Sequence, residues 1–471
     1  MAANKRIVPS RRSVRRRDFL KAGVRAGLAA WAVSGTRCAS TKRVDHPNVL
    51  LITLDTTRAD RLSCYGYERA TSPSLDRLAE ECMVYTSAVS SSSWTLPAHA
   101  TLFTGKFVAS HGARYDPEGE LILTRAIAGP EAWSNYRARS LSPDETTLAD
   151  VLTQSGYATG AVVAGPWMKK VFGLSKGFQY YDDDGITKLE GRRAPEVTDR
   201  ALEWLRDKGH RPYFLFLNYF DPHSPYAPPE DFGLEFLAAN VDASRFTQPS
   251  EKNRRRYQNA MYDAEIAYMD RSIGALLKGL RKLRVYDDTL VVVTADHGEL
   301  LGEHEKWGHG ASLYEEELHV PLFVKHPRGE IAPAASDLRV QITDVPALIL
   351  ERIGLAGLPQ AQGECPPDVT HPVVAEVYPL PYFYENIGSI QALYDQSHKL
   401  VLHSRGEDML FDLEGDPSEE HNLAEREPER VARMSETLAT YLAGLPKAGA
   451  AGPARPIDEE TREALEGAGY L

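Results

Sequence analysis

The sequence predicts an α/β fold: a large, mostly parallel central sheet covered by helices, with a small α+β subdomain towards the C-terminus. Three observations predict it. Short runs that are apolar at every position recur along the chain, amphipathic helical patterns lie between them, and the pattern changes near residue 385 to hairpins and turns. A strand apolar at every position has both faces buried, as in a parallel sheet. Strands alternating with helices imply crossover connections that cover both sides of that sheet.

The first apolar run is NVLLITLD, Asn48 to Asp55. ATGAVVA (Ala158 to Ala164), YFLFLN (Tyr213 to Asn218), TLVVVTAD (Thr289 to Asp296) and HVPLFVK (His319 to Lys325) follow. Around Pro195 to Asp207, Val197, Ala201, Trp204 and Leu205 share one helical face. A longer helix places Tyr262, Ile266, Met269, Ile273, Leu276 and Leu280 at spacings of three and four. Arg114 to Ser142 and Ser224 to Arg256 read as irregular insertions over the sheet's rim, either lining a cleft or forming ordinary surface. Beyond residue 385, His398 to Leu402 and Asp408 to Leu413 read as an antiparallel hairpin, and Glu414-Gly415-Asp416-Pro417 as a turn. A helix is expected from Pro428 to Leu445, then a flexible Gly/Ala/Pro-rich stretch from Ala448 to Pro456. The expected organisation is a leader and linker over 1–43, a large α/β domain over 44–384, a C-terminal subdomain over 385–446, and a linker with a docking tail over 447–471.

A 471-residue chain that is 42% hydrophobic can bury a large core. Its net charge of −12 is unevenly spread: residues 1–43 hold twelve Lys/Arg and one Asp, leaving about −23 for the rest. So acidic a body excludes generic nucleic-acid binding, which needs a basic footprint. The run Arg15-Arg16-Arg17-Asp18-Phe19-Leu20-Lys21, followed by a short apolar stretch from Ala22 to Val33, resembles a twin-arginine export signal. That stretch contains Arg25 and is too short to span a membrane. The expected partner is the twin-arginine export machinery, and the expected location is periplasmic or extracellular. Cys38 is positioned for lipid attachment, although Arg37 before it fits poorly. Cys64 and Cys82 are either bonded or buried as free thiols; no cysteine pair has zinc-site spacing.

Polar residues stand where apolar strands end. Asp55 closes the first run, and Asp296 and His297 close another. Strand carboxyl ends form the ligand crevice of open α/β sheets. Two carboxylates and an imidazole converging there suit one divalent cation: calcium, magnesium or manganese for the oxygens, manganese or zinc for the nitrogen. Next, the Ser-rich stretch before Thr95 leads into an apolar helical pattern with Pro97 near its start. A hydroxyl at such a helix N-terminus is either an oxyanion-site group or a simple cap.

With these residues in view, five ordered blocks resemble the sulfatase family over nearly all of Pro47 to Leu471. They are PNVLLITLDTTRADRLSCYGY, SWTLPAHATLFTG, YFDPHSPYAPP, TADHGELLGEHEKWGHGASLYEEELHVPLFV and LFDLEGDPSEEHNLA. The resemblance implies an alkaline-phosphatase-like α/β sandwich with a small C-terminal subdomain. It implies Asp55, Asp296 and His297 as ligands of one divalent cation, calcium by family habit, and Thr95 at the nucleophile position. His223 would contact substrate or act as acid–base group, and His309 falls where many sulfatases have a lysine on the ester oxygens. His304 is a weaker candidate for the same cleft.

Four departures bear on the chemistry. Thr95 stands where sulfatases carry the Cys or Ser that is oxidised to formylglycine, and its Cβ methyl prevents formation of that aldehyde. His99 replaces the motif arginine, exchanging a permanent charge for a titratable one. Thr56 replaces the second of two paired aspartates. Gly165-Pro166-Trp167-Met168 aligns with a Gly-Lys-Trp-His segment, losing its lysine and histidine. The expectation is a hydrolase of sulfate or phosphate esters, on a small-molecule, glycan or lipid substrate, with Thr95, His99, His223 and His309 as catalytic residues. A phosphotransferase using Thr95 directly, as in lipoteichoic acid synthases and phosphoethanolamine transferases, and a non-catalytic anion-binding descendant are the other readings.

Overall fold

The computed structural model describes residues 47–116, 121–122, 137–188, 190–237, 251–379 and 388–447. The twin-arginine stretch, Cys38, part of the 114–142 insertion and the expected tail after Ala448 lie outside the described residues. In chain order the N-terminal half gives β1 (Asn48–Leu54), α1 (Pro73–Ala79), β2 (Met83–Val89), α2 (Thr95–Thr104) and α3 (Val108–His111). Short strands β3 (Arg114–Tyr115), β4 (Leu121–Ile122) and β5 (Arg137–Arg139) precede α4 (Leu148–Gln154), β6 (Ala158–Val162), β7 (Tyr180–Asp182) and α5 (Ala194–Lys208). Then come β8 (Tyr213–Tyr219), α6 (Glu230–Leu237), α7 (Glu251–Leu283), β9 (Thr289–Thr294), β10 (Leu300–Leu301) and β11 (Trp307–Gly308). The rest is α8 (Glu315–Leu318), β12 (His319–Lys325), β13 (Ala334–Gln341), α9 (Val345–Arg352), β14 (Val373–Val377), β15 (Ile390–Asp395), β16 (His398–His403), β17 (Met409–Asp412) and α10 (Pro428–Gly444).

The eight-stranded central sheet has the order β13-β2-β12-β9-β1-β8-β6-β7. The fully apolar runs occupy its middle: every residue of β1, β8 and β9 is buried, and β9, β1, β8 and β6 are mutually parallel. Burial on both faces is what removes the polar alternation from these strands. One expectation is corrected: β12 runs antiparallel to both β9 and β2. The chain between β9 and β12 contains only one four-residue α-helix, so nothing carries it back to the sheet's opposite end. The 224–256 insertion is also more regular than expected, containing α6 and the first residues of α7. Cys64 and Cys82 are free thiols.

A four-stranded antiparallel sheet, β14-β15-β16-β17, forms the smaller layer. Its first strand, β14, precedes residue 385, where the sequence pattern changes. One face packs on Met434 and Leu438 of α10, and the other on Leu313 and Leu318, which lie just before β12 of the central sheet. Lys399 is fully buried there, with its Nζ 3.0 Å from Glu315 and 2.8 Å from Glu419. Removing one partner of a buried ion cluster leaves the others uncompensated. Lys399→Met is therefore expected to lower stability by about 3–5 kcal/mol in urea denaturation. A loss under about 1 kcal/mol would mean that the two carboxyls are already neutral in the native protein.

Candidate active site

The sheet register builds the centre of the site. Thr53 of β1 pairs with Thr294 of β9, so Asp55 and Asp296, each two residues further on, emerge side by side at the strands' carboxyl ends. Both are buried. Asp296 Oδ1 accepts the backbone N–H groups of Thr56 (3.2 Å) and His297 (2.9 Å). Asp55 Oδ2 accepts the Asn218 amide at 3.3 Å. The second oxygens, Asp55 Oδ1 and Asp296 Oδ2, have no hydrogen-bond partner. His297 Nδ1 donates to the Gly298 carbonyl at 2.9 Å, which leaves the lone pair on Nε2. One ligand atom from each of Asp55, Asp296 and His297 lies within 4.8 Å of the others.

These features fit a divalent cation. Burial and the neighbouring Asp296 hold the Asp55 carboxyl well above the usual carboxylate range, and burial raises Asp296 as well. Two buried carboxylates side by side repel, and each has an oxygen left for a ligand. The backbone is strained at the same point. Thr56, a β-branched residue, has φ +53° and is buried, with its hydroxyl unpartnered.

Thr95 is the first residue of α2, after Trp94 in extended conformation. The loop before it is pinned twice: the Ser90 hydroxyl donates to the Asp296 carbonyl, and the Ser93 hydroxyl donates to Ser312 O at 2.6 Å. Thr95 Oγ1 lies 3.3 Å from His297 Nε2, at the positive end of the helix. Thr95 thus belongs to the cluster and makes no side-chain cap.

His99 is brought to the same place but lies behind it. Its ring is fully buried, and its nitrogens face Thr53 Oγ1 (3.0 Å) and Thr95 O (2.9 Å). Asn218 Nδ2 also donates to Thr53 Oγ1 at 3.3 Å. One consistent chain results: Asn218 donates to Thr53, Thr53 to His99 Nε2, and His99 Nδ1–H to the Thr95 carbonyl. It needs a neutral imidazole, and burial lowers the His99 pKa.

His223 and His309 complete an arc over His297. The His297 and His309 ring centroids are 4.4 Å apart, and those of His309 and His223 5.0 Å. His223 stacks on Phe220 at 4.3 Å. His309 Nδ1 donates to buried Glu299 Oε1 at 3.0 Å, so its Nε2 carries the lone pair. Burial pushes His223 to about 3 and His309 to about 4, so both are neutral near pH 7. His304 is not part of this arc: it stacks on Tyr314 at 3.7 Å, beside Glu316. The Gly165–Met168 segment does border the site, with Gly165 N–H on Asn218 Oδ1 and Trp167 edge-on to Trp94.

Asn218 and Glu299 also join the cluster, bonded to Asp55 and His309, without being among the residues expected from the sequence. Asn218 had a readable signal, because it ends a buried apolar run as Asp55 and Asp296 do. Glu299, two residues past His297, had none beyond its charge.

Comparisons with known proteins identify the family and the fold. The Sulfatase family model matches residues 47–355. Arylsulfatase K of Bos taurus is 25% identical over 475 residues, covering 84% of this chain and 82% of the relative. The multifunctional alkaline phosphatase superfamily protein PehA of Trinickia caryophylli is 27% identical over 484 residues, covering 80% and 91%. Among solved structures, the phosphonate monoester hydrolase of Agrobacterium radiobacter superposes with a TM-score of 0.65 at 19% identity, covering 84% of this chain and 95% of that one. With its matched domain, its sheet order and its strand-end carboxylates, this chain belongs to the sulfatase family of the alkaline-phosphatase-like superfamily and is a hydrolase acting on ester bonds.

Proposed function

We propose that this chain is a cation-dependent hydrolase of sulfate or phosphate esters in which the hydroxyl of Thr95 attacks the ester centre. The observation that carries the reading is Thr95 Oγ1 at 3.3 Å from His297 Nε2, beside two carboxylates with unpartnered oxygens. Asp55, Asp296 and His297 would hold the ion: calcium by family resemblance, with manganese, magnesium or zinc also compatible with the donor set. Once bound, a divalent cation offsets the paired carboxylates and polarises the ester oxygens.

The residues of the chain do the rest. Thr95 Oγ forms a bond to phosphorus or sulfur as the bond to the leaving alcohol breaks. The Thr95 proton goes to an imidazole Nε2 of the His223–His309 pair and from there to the departing oxygen. Water then displaces Thr95, giving up a proton by the same route, and that proton returns to Oγ. Glu299 fixes the His309 tautomer, and His99 holds the Thr95 carbonyl. The direct threonine hydroxyl also suits transfer to an acceptor alcohol in place of water, which is the second reading. A non-catalytic descendant would have no use for two buried carboxylates with open oxygens.

A choline-sulfatase of Rhizobium meliloti and an endo-4-O-sulfatase of Bacteroides thetaiotaomicron are among the relatives, at 25% and 23% identity. They support a small-molecule or glycan ester as substrate. Export through the twin-arginine route remains our reading of residues 1–43, and no helix among the described residues is long and apolar enough to cross a membrane.

Two predictions follow from the site. Turnover of an aryl sulfate or an aryl phosphodiester by cation-loaded protein should fall at least ~10³-fold in Thr95→Ala and be largely kept in Thr95→Ser. Equal rates in wild type and Thr95→Ala would remove Thr95 as nucleophile. The second concerns stability. The raised Asp55 carboxyl stabilises the cation-free fold at acid pH, and that contribution is lost as pH rises through its raised value. At pH 7, Asp55→Asn should therefore raise the cation-free melting temperature by roughly 2–4 °C and abolish stabilisation by added calcium or manganese. A cation response identical to wild type would place the ion elsewhere.

A further inference from the structure

The short helix α8 carries three consecutive carboxylates that face three different parts of the molecule. Glu315 Oε1 meets Lys399 (3.0 Å) and Tyr394 of the C-terminal sheet (2.5 Å), and Glu316 lies beside His304. Glu317 turns inward and is fully buried. Its Oε1 accepts the Gly310 N–H at 3.1 Å, and its Oε2 accepts the Ser312 hydroxyl. Its own carbonyl accepts the Gly298 N–H at 2.7 Å.

Each of those contacts touches the site at one remove. Gly310 follows His309, and Gly298 follows His297. The Ser312 carbonyl takes the Ser93 hydroxyl at 2.6 Å, two residues before Thr95. No Lys, Arg or His is paired with Glu317 among the described residues. A buried carboxyl without a cation is unfavourable, and burial pushes this one up to about 8. A neutral apolar side chain would fill the same space without that desolvation penalty, but it would leave the Gly310 N–H and the Ser312 hydroxyl unpaired. What it would lack is the pair of bonds that holds the 310–312 loop, which follows His309 and whose Ser312 carbonyl anchors Ser93 before Thr95.

We propose that Glu317 is a positioning residue that fixes the spacing between Thr95 and His309 through Gly310 and through Ser312–Ser93. The inference rests on the ester-hydrolase reading above. It predicts that both bonds matter and that the negative charge does not. Gln at 317 reproduces both bonds, its carbonyl accepting from Gly310 and its amide donating to a rotated Ser312 hydroxyl. Met keeps the volume and loses both.

The test uses the full chain loaded with calcium or manganese, and whichever aryl ester the wild type turns over. Glu317→Met should lower kcat at least ~10-fold at an unchanged KM and unchanged cation midpoint, whereas Glu317→Gln should stay within about 3-fold of wild type. Made singly, Ser93→Ala should lower the melting temperature, but it should add little to Glu317→Met, because both break one chain of contacts. A wild-type kcat in folded Glu317→Met, or loss of activity in Glu317→Gln equal to that in Met, would overturn the proposal. Additive melting losses would overturn the Ser312–Ser93 link. Should Glu317→Met fail to fold, Ser312→Ala carries the test: a reduced kcat at constant KM supports the proposal and an unchanged one overturns it. Wild-type protein inactive on both esters, with non-additive melting losses, would sink the hydrolase reading while supporting the link between loops.

Discussion

Asp55 and Asp296 stand side by side at the ends of adjacent parallel strands, buried, each with one oxygen left open. That juxtaposition is unfavourable in a folded protein without a compensating charge. Much of the surrounding structure is arranged to hold it. Backbone N–H groups of Thr56 and His297 bind one oxygen of Asp296, and the Asn218 amide binds one of Asp55. Thr56 adopts a left-handed backbone in the process, and the Tyr262 hydroxyl donates to its carbonyl at 2.7 Å. Strain and repulsion are concentrated where a ligand would relieve them.

Around that centre the polar side chains are neutral imidazoles. His99, His223, His297 and His309 all have lowered pKa values, and burial is the leading cause in each case. Their hydrogen bonds fix which nitrogen carries the proton, so the lone pairs of His297 and His309 are directed by Gly298 and Glu299. An arc of neutral bases can pass protons without adding fixed charge to the site. On the proposed reading the jobs are separate: Asp55, Asp296 and His297 would hold the ion, the α2 terminus would present the hydroxyl, and His223 and His309 would handle protons.

The sequence made much of this legible, for physical reasons. Strands buried on both faces lose their polar alternation, which is why β1, β6, β8 and β9 stood out. β2 and β13 were invisible because they mix exposed and buried positions, and β13 begins with exposed residues. The direction of β12 depends on where its preceding loop returns the chain, which no local pattern encodes. Asp55, Asp296 and His297 were readable from position at strand ends. His99 was readable as a site residue, but its place behind Thr95 depends on the helix phase and on Thr53 across the sheet. Glu299 bonds the His309 ring and Glu317 bonds the Gly310–Ser312 loop, so their charge alone announced nothing.

Direct attack by the hydroxyl requires that Thr95 itself becomes covalently attached to the transferred group. The most direct test is rapid acid quenching of cation-loaded protein during turnover of an aryl phosphodiester or aryl sulfate, followed by peptide mass spectrometry. The expected adduct on Thr95 is a sulfuryl group from the sulfate, or from the diester a phosphoryl group still carrying its second alcohol, with the residue otherwise unmodified. Turnover with no adduct at any time point, or with an oxidised residue at position 95, would contradict it.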